Sequence, residues 1–302
     1  MTTSKSPKAV ALVAYGTAQR VLPPFSHLKS PKKFTQPQLV ACLVLKEFFK
    51  TDYRGIVEIL TDSSDLRKVL ELAETPHYTT LQKAAHRFTR KKTITKLMRE
   101  SVAIAGDSKL LKKSVALAAL DSTGFESHHT STYFVSRKRR KGYAPGYQTM
   151  KYSRFPKLSI VVDAASLLVL SGVPSYGPSP DIVHFREALR SSAHVRIRCV
   201  VADAGYDAEH AHAFAREELG ITTIIPPRAG RPTSKLPSGK YRRRMTVSFD
   251  RTRYGKRWMV ETVNSIIKRR IGSFLRARSY WSQMREMMLR LFTHNVMVLM
   301  PR

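Results

Sequence analysis

The chain has 302 residues, of which 53 are Lys or Arg and only 22 Asp or Glu, for a formal charge of +31. That length can bury a sizeable core in one large domain or two, and no apolar run reaches the ~18 residues a membrane span needs. So large a cationic excess repels itself in a compact monomer and implies a polyanionic partner; nucleic acid leads, because the basic residues are spread over several segments rather than gathered in one amphipathic helix.

Residues 1–33, rich in Lys, Pro and Ser, read as a poorly ordered basic arm. QPQLVACLVLKEFFK, from Gln36 to Lys50, reads as a buried helix. Asp52 can cap a second helix through Leu60, and Ser64 a third through about Leu72. Thr79 and Gln82 have capping-box spacing, which predicts a fourth helix bearing Lys83, His86, Arg87 and Arg90. Such a set suits a helix-turn-helix-like DNA reader, with Lys83 and Arg87 as candidate contacts, and equally a small helical subdomain with a basic surface. Residues 93–114 continue helical and basic, so 34–113 read as one helical module. Cys42 and Cys199 are the only cysteines, without a CxxC pair; this argues against disulfides and cysteine-bound zinc and suits a reducing cytoplasm.

The texture changes at Ser114. VALAALD predicts a short strand ending at Asp121, followed by a Ser-Thr-Gly turn. From His128 to Lys157 there is no acidic residue, and RKRRK at 137–141, including Arg139 and Arg140, alternates with tyrosines in a manner that suits a phosphate backbone or a solvated loop. LSIVVDAAS and LLVLSGVPS predict two adjacent strands with a tight turn at 163–166. DIVHFREALR predicts a helix with Asp181 as its N-cap. RIRCVVAD predicts a strand ending at Asp203, Asp207 can cap a helix that Gly220 stops, and ITTIIP is a last strand. The basic, Pro- and Gly-punctuated stretch 226–250 reads as a mobile loop, and RSYWSQMREMMLRLFTHNVMVLM as a closing amphipathic helix. Strands and helices in this order from 114 to 302 predict an α/β domain with a mixed sheet.

The stretch YGKRWMVETVNSIIK organises the rest. Tyr254, Glu261 and Lys268 recur every seven residues and Arg257 falls four before Glu261, so on a continuous helix all four share one face. A carboxylate between two cations is also the pattern of a solvated, salt-bridged surface. If the strands ending at Asp121 and Asp203 are neighbours, both aspartates emerge at one edge, and the helix can lay Glu261 beside them. Three converging carboxylates need cations, and all-oxygen ligation points to Mg²⁺ or Mn²⁺. Two such ions, ~4 Å apart, can activate the attacking oxygen and stabilise the leaving oxygen of a phosphodiester. Each aspartate taken alone also suits an ordinary turn.

The spacing Tyr254-x2-Arg257-x3-Glu261-x6-Lys268 resembles the Y-R-E-K signature of a large group of insertion-sequence transposases. LDSTGF around Asp121 and VVADAGYD around Asp203 resemble that group's two catalytic aspartate motifs, and FTHNVMVLM its C-terminal helix. The resemblance covers about 114–300. It implies a ribonuclease H-like (retroviral-integrase-like) catalytic domain, with Asp121, Asp203 and Glu261 holding two Mg²⁺ or Mn²⁺ ions. Tyr254, Arg257, Lys268 and the adjacent Arg269 would then contact the DNA. It also implies double-stranded DNA partners, namely the element's terminal repeats and a target, a homodimer that brings two ends together, and a nucleoid-associated enzyme of the cytoplasm. Charge and helices alone are matched as well by a nucleic-acid-binding protein without catalysis, and the carboxylates by a metal-dependent nuclease without strand transfer.

Overall fold

The computed structural model describes residues 3–27, 29, 31–127, 154–228 and 236–299. The chain begins not with an arm but with a helix, α1 (Pro7–Val21). Ser6 caps it and Pro7 opens it, and Val10, Ala11, Ala14 and Ala18 form a helical apolar stripe with no exposed surface. The stripe overrides the Lys, Pro and Ser that surround it in sequence. α2 (Gln36–Phe48) starts in a complete Thr35/Gln38 capping box and is buried nearly all round. Asp52 caps α3 (Tyr53–Asp62) through the Gly55 amide at 2.7 Å, and Ser63, one residue earlier than expected, caps α4 (Ser64–Val69). α5 (Tyr78–Phe88) starts where expected, but Thr79 bonds the His77 ring and no capping box forms. α6 (Lys91–Asp107) completes the helical region.

The sheet follows. A two-residue parallel pair joins β1 (Ser114–Val115) to β5 (Arg196–Ile197). The main sheet holds β2 (Ala118–Gly124), β3 (Phe155–Asp163), β4 (Val169–Gly177), β6 (Cys199–Val201) and β7 (Thr222–Ile224), in the order β4-β3-β2-β6-β7. The β4-β3-β2 pairs are antiparallel and the β2-β6-β7 pairs parallel. β2 runs past Asp121 to Gly124, because β3 pairs with it along its whole length. α7 (Phe185–Ser191) and α8 (Glu209–Ala213, continued by a π-helical turn to Glu218) cover one face. α9 (Lys240–Val247), α10 (Arg251–Tyr254), α11 (Trp258–Arg270) and α12 (Tyr280–Val298) close the chain, so part of the expected 226–250 loop is helical.

α11, α12 and the N-terminal helices share one buried cluster with the other sheet face. It runs from Val10 and Leu43 through Ile160 and Val263 to Val296. A buried ionic network reinforces this join: Lys46 and Glu47 of α2 meet Glu286 and Arg290 of α12. Arg290 bonds both carboxylates, at 3.3 and 2.6 Å, and also the carbonyls of Gly272 and Phe274. The motif FTHNVMVLM has a packing reason as well. Asn295 bonds both the amide and the carbonyl of Val169, and His294 Nε2 donates to the Leu167 carbonyl at 3.0 Å, so α12 pins the β3–β4 turn. No described helix is long and apolar enough to cross a membrane.

Candidate active site

The site is built from strand register. Ala119 of β2 pairs with Val201 of β6, so both side chains leave the same sheet face. Asp121 and Asp203 each lie two residues further on, where period-two alternation returns them to that face. β6 has ended there, which opens a gap beside β2 at its C-terminal half. α11 lies across this face and buries Val260, Val263 and Ile267 against the cluster that holds Ala119 and Val201. Glu261 follows Val260 in the first turn of α11 and is exposed.

Asp121 is half-buried, and its acid is pushed up to about 6. Burial is the main cause, and the fields of Asp203 and Asp181 add to it against the Ser122 amide and Arg257. Asp203 turns one carboxylate oxygen to the Gly205 amide at 2.9 Å, the Asx-turn geometry of a strand end. Glu261 is bound by Arg257 at 2.6 Å, one helical turn back. Arg257 in turn lies in the field of Asp121, so it stands electrostatically between the two acids. Among the described residues no three His, Cys, Asp or Glu side chains come together closely enough to hold an ion. The structure thus brings Asp121 and Asp203 together and leaves Glu261 on its arginine. Two neighbouring carboxylates, one with its acid raised by burial and by the other's charge, are oxygen donors of the kind that suits a hard divalent cation.

The helix of the Y-R-E-K spacing is not continuous. A 3₁₀ turn over Gly255–Arg257 separates α10 from α11. Three residues at ~120° rather than ~100° each rotate Tyr254 by roughly 60° from the stripe, and its ring packs on Phe249 at 5.0 Å instead. Lys268 is half-buried, its ammonium 5.9 Å from the Phe125 ring just past β2, while Arg269 is exposed at the end of α11. Lys83 and Arg87 are exposed on α5, which packs on α2 and α3 in the helical region. Arg139 and Arg140 lie outside the described residues.

Several neighbours of the site were not legible as such. Asp181 does not cap a helix; Pro180 takes that position and a 3₁₀ turn follows. Its carboxylate accepts from the Ser122 hydroxyl and pairs with the buried ammonium of Lys157, which also donates to the Ser179 carbonyl at 2.7 Å. Ser122 and Lys157 lie on the sheet face opposite Asp121. Burial drives the pKa of the Tyr206 hydroxyl far upward, and the combined field of Asp181, Asp121 and Asp203 adds to it. Asp207, read as a cap, is instead buried against Arg242. Burial would raise its pKa, but two guanidinium bonds at 2.9 and 2.7 Å and the Arg228 amide lower it on balance, and the pair ties α9 to the sheet.

A family model described as "Transposase DDE domain" matches residues 116–296, which contain all three carboxylates. The chain belongs to the DDE transposase family. The enzyme therefore cleaves DNA and transfers strands, on a ribonuclease H-like fold. Among solved structures, it is similar to the piggyBac transposase in a synaptic complex with hairpin DNA. That likeness has a TM-score of 0.47 and 10% identity, over 97% of this chain and 72% of that one. It is also similar to the Mos1 mariner transposase in a paired-end complex with Mn, at a TM-score of 0.24 and 12% identity, over 93% and 85% of the two chains. No curated protein matches the chain.

Proposed function

We propose that Asp121, Asp203 and Glu261 are the acidic triad of this transposase, in the manner of the Y-R-E-K group of insertion-sequence enzymes. They would hold two Mg²⁺ or Mn²⁺ ions while the element's ends are cut and joined to a target. The observation that carries the reading is the Ala119–Val201 register, which sends Asp121 and Asp203 out on one face beneath the helix that bears Glu261. When bound, the ions supply Lewis acidity to the attacking and leaving oxygens of the phosphodiester.

The chain's own residues contribute binding and orientation. Cleavage adds water across a phosphodiester and leaves a 3′-OH; in strand transfer that hydroxyl's oxygen bonds to a target phosphorus and the target 3′-oxygen leaves as a new 3′-OH, so bonds broken and formed balance in each step. The Gly205 amide orients Asp203, and pairing within the sheet holds the backbone of Asp121. Glu261 exchanges Arg257 for the site when DNA enters, and the freed guanidinium becomes available to a phosphate, for which its planar fork is suited. Lys268 and Arg269, at the far end of α11, would extend this phosphate track; Tyr254, Arg139, Arg140, Lys83 and Arg87 are further proposed contacts. Two ends must meet, so the working species is a homodimer on DNA.

The test is cleavage of a labelled duplex carrying the element's own terminus, with Mg²⁺ or Mn²⁺. Wild type nicks and joins, and Asp121→Ala, Asp203→Ala and Glu261→Ala bind but do not nick. Nicking by any of the three at the wild-type rate removes that residue from the triad.

A further inference from the structure

The start of α12 carries an aromatic surface for which the carboxylate chemistry has no use. Tyr280 and Trp281 are 45% and 67% exposed, although the helix they open is otherwise deeply buried. Tyr280 stacks on Tyr176 of β4, with ring centroids 5.0 Å apart and planes 29° from parallel, and Trp281 meets Tyr280 edge-on at 4.8 Å. The group is anchored from below. The Tyr176 hydroxyl donates to the buried Gln283, whose amide donates to Ser127 Oγ at 2.7 Å and to the Ala277 carbonyl at 3.1 Å. Two adjoining rings left in water, one of them stacked on an anchored tyrosine, are a platform for a flat partner.

Tyr280 and Trp281 also line a cavity of about 340 Å³, together with Pro174 and Met284. That is room for a planar group of nucleoside size. Arg90, Lys91, Arg99 and Arg285 line the same cavity, and its single carboxylate, Glu187, is already paired with Lys91 at 3.0 Å. Apolar rings bordered by cations suit a base together with its phosphates. A second copy of a chain carrying +31 would be repelled from the same border.

Register relates the platform to the carboxylates. Asp121 is level with Ile160 and, across β3, with Gly172; Tyr176 lies four residues further along β4. Gly172, Pro174 and Tyr176 line the sheet face from which Asp121 emerges. Two strands across and four residues along make roughly 16 Å from Asp121 to Tyr176. A strand leaving the carboxylates along this face would arrive at the rings.

We propose that Tyr280 and Trp281 form a stacking site for an unpaired DNA base, with Arg90, Arg99 and Arg285 holding the flanking phosphates. The proposal requires DNA as partner but is independent of the triad assignment. The chain has two tryptophans, so Trp258→Phe leaves Trp281 as the sole indole reporter. In that background a short oligothymidylate quenches the fluorescence, whereas a blunt duplex of equal length quenches it much less. In the full chain with its native Trp258, Trp281→Leu weakens oligothymidylate binding about tenfold or more, Trp281→Phe restores most of the affinity, and duplex binding is unchanged. Oligothymidylate binding is read without divalent metal, where no cleavage occurs, which separates this test from that of the triad.

Equal oligothymidylate affinity in Trp281→Leu and wild type overturns the proposal. So does an equal loss for single strand and duplex accompanied by a fall in melting temperature, which marks a packing role, or quenching that follows protein concentration without DNA, which marks a second copy.

Discussion

Neutralising Asp121 should stabilise the metal-free transposase, and only above a defined pH. The Asp121 carboxyl rises from the ordinary 3.8 to about 6, chiefly through burial. A pKa that is higher in the folded state means that the folded chain binds the proton more tightly. The associated stability is fully present below the unfolded value near 4 and is lost as pH rises through 6. Two pKa units correspond to roughly 3 kcal/mol; Asp121 is only half-buried, and solvent screening reduces the expected effect to about 1–2 kcal/mol. Asp121→Asn should therefore unfold at higher urea than wild type at pH 8 without divalent metal, and the gain should vanish by about pH 4. Added Mn²⁺ should reverse the order, because only wild type regains its ligand. A variant less stable than wild type at pH 8, or a difference that does not change with pH, would refute the argument that Asp121 is an uncompensated acid.

Other expectations follow from individual contacts. Arg290→Ala leaves Glu47 and Glu286 buried without their shared cation and should cost about 3–5 kcal/mol in urea unfolding; a loss below 1 kcal/mol would show the network to be solvated. A Cβ at Gly172 would come 2.2 Å from Leu291 Cδ1, so Gly172→Ala should destabilise by about 1–3 kcal/mol as α12 is lifted from β4, and an unchanged midpoint would contradict that close approach. Lys268→Ala should lower the slope of log affinity against log salt by about one unit on duplex DNA, while an unchanged slope would return this lysine to its packing on Phe125.

What the sequence disclosed depended on how local the cause was. Asp203 is legible because a continuous apolar run stops at it and the Ala-Gly turn follows immediately. Asp121 is legible as an acid among strand residues, but the continuation of β2 to Gly124 is set by β3, more than thirty residues away. Asp181 follows Ser-Pro and reads as a cap, yet its partners, Ser122 and Lys157, reach it only through the sheet. The same is true of Asp207, which is claimed by Arg242 across the segment that reads as a loop. α1 escaped notice because Lys, Pro and Ser dominate its surroundings while Val10, Ala14 and Ala18, which decide the outcome, are few. The Tyr254–Lys268 stripe assumed one helical pitch, and the 3₁₀ turn at Gly255 alters that pitch where Tyr254 joins it.

The central claim is that Asp121, Asp203 and Glu261 share divalent ions although Glu261 rests on Arg257 in the free chain. Titrating Mn²⁺ into the DNA-bound transposase and counting bound ions by electron paramagnetic resonance tests it most directly. Wild type should take up two ions, and Asp121→Asn, Asp203→Asn and Glu261→Gln should each lose at least one. If Glu261→Gln binds two ions with wild-type affinity, Glu261 is no ligand and the arrangement of the site argued above is contradicted.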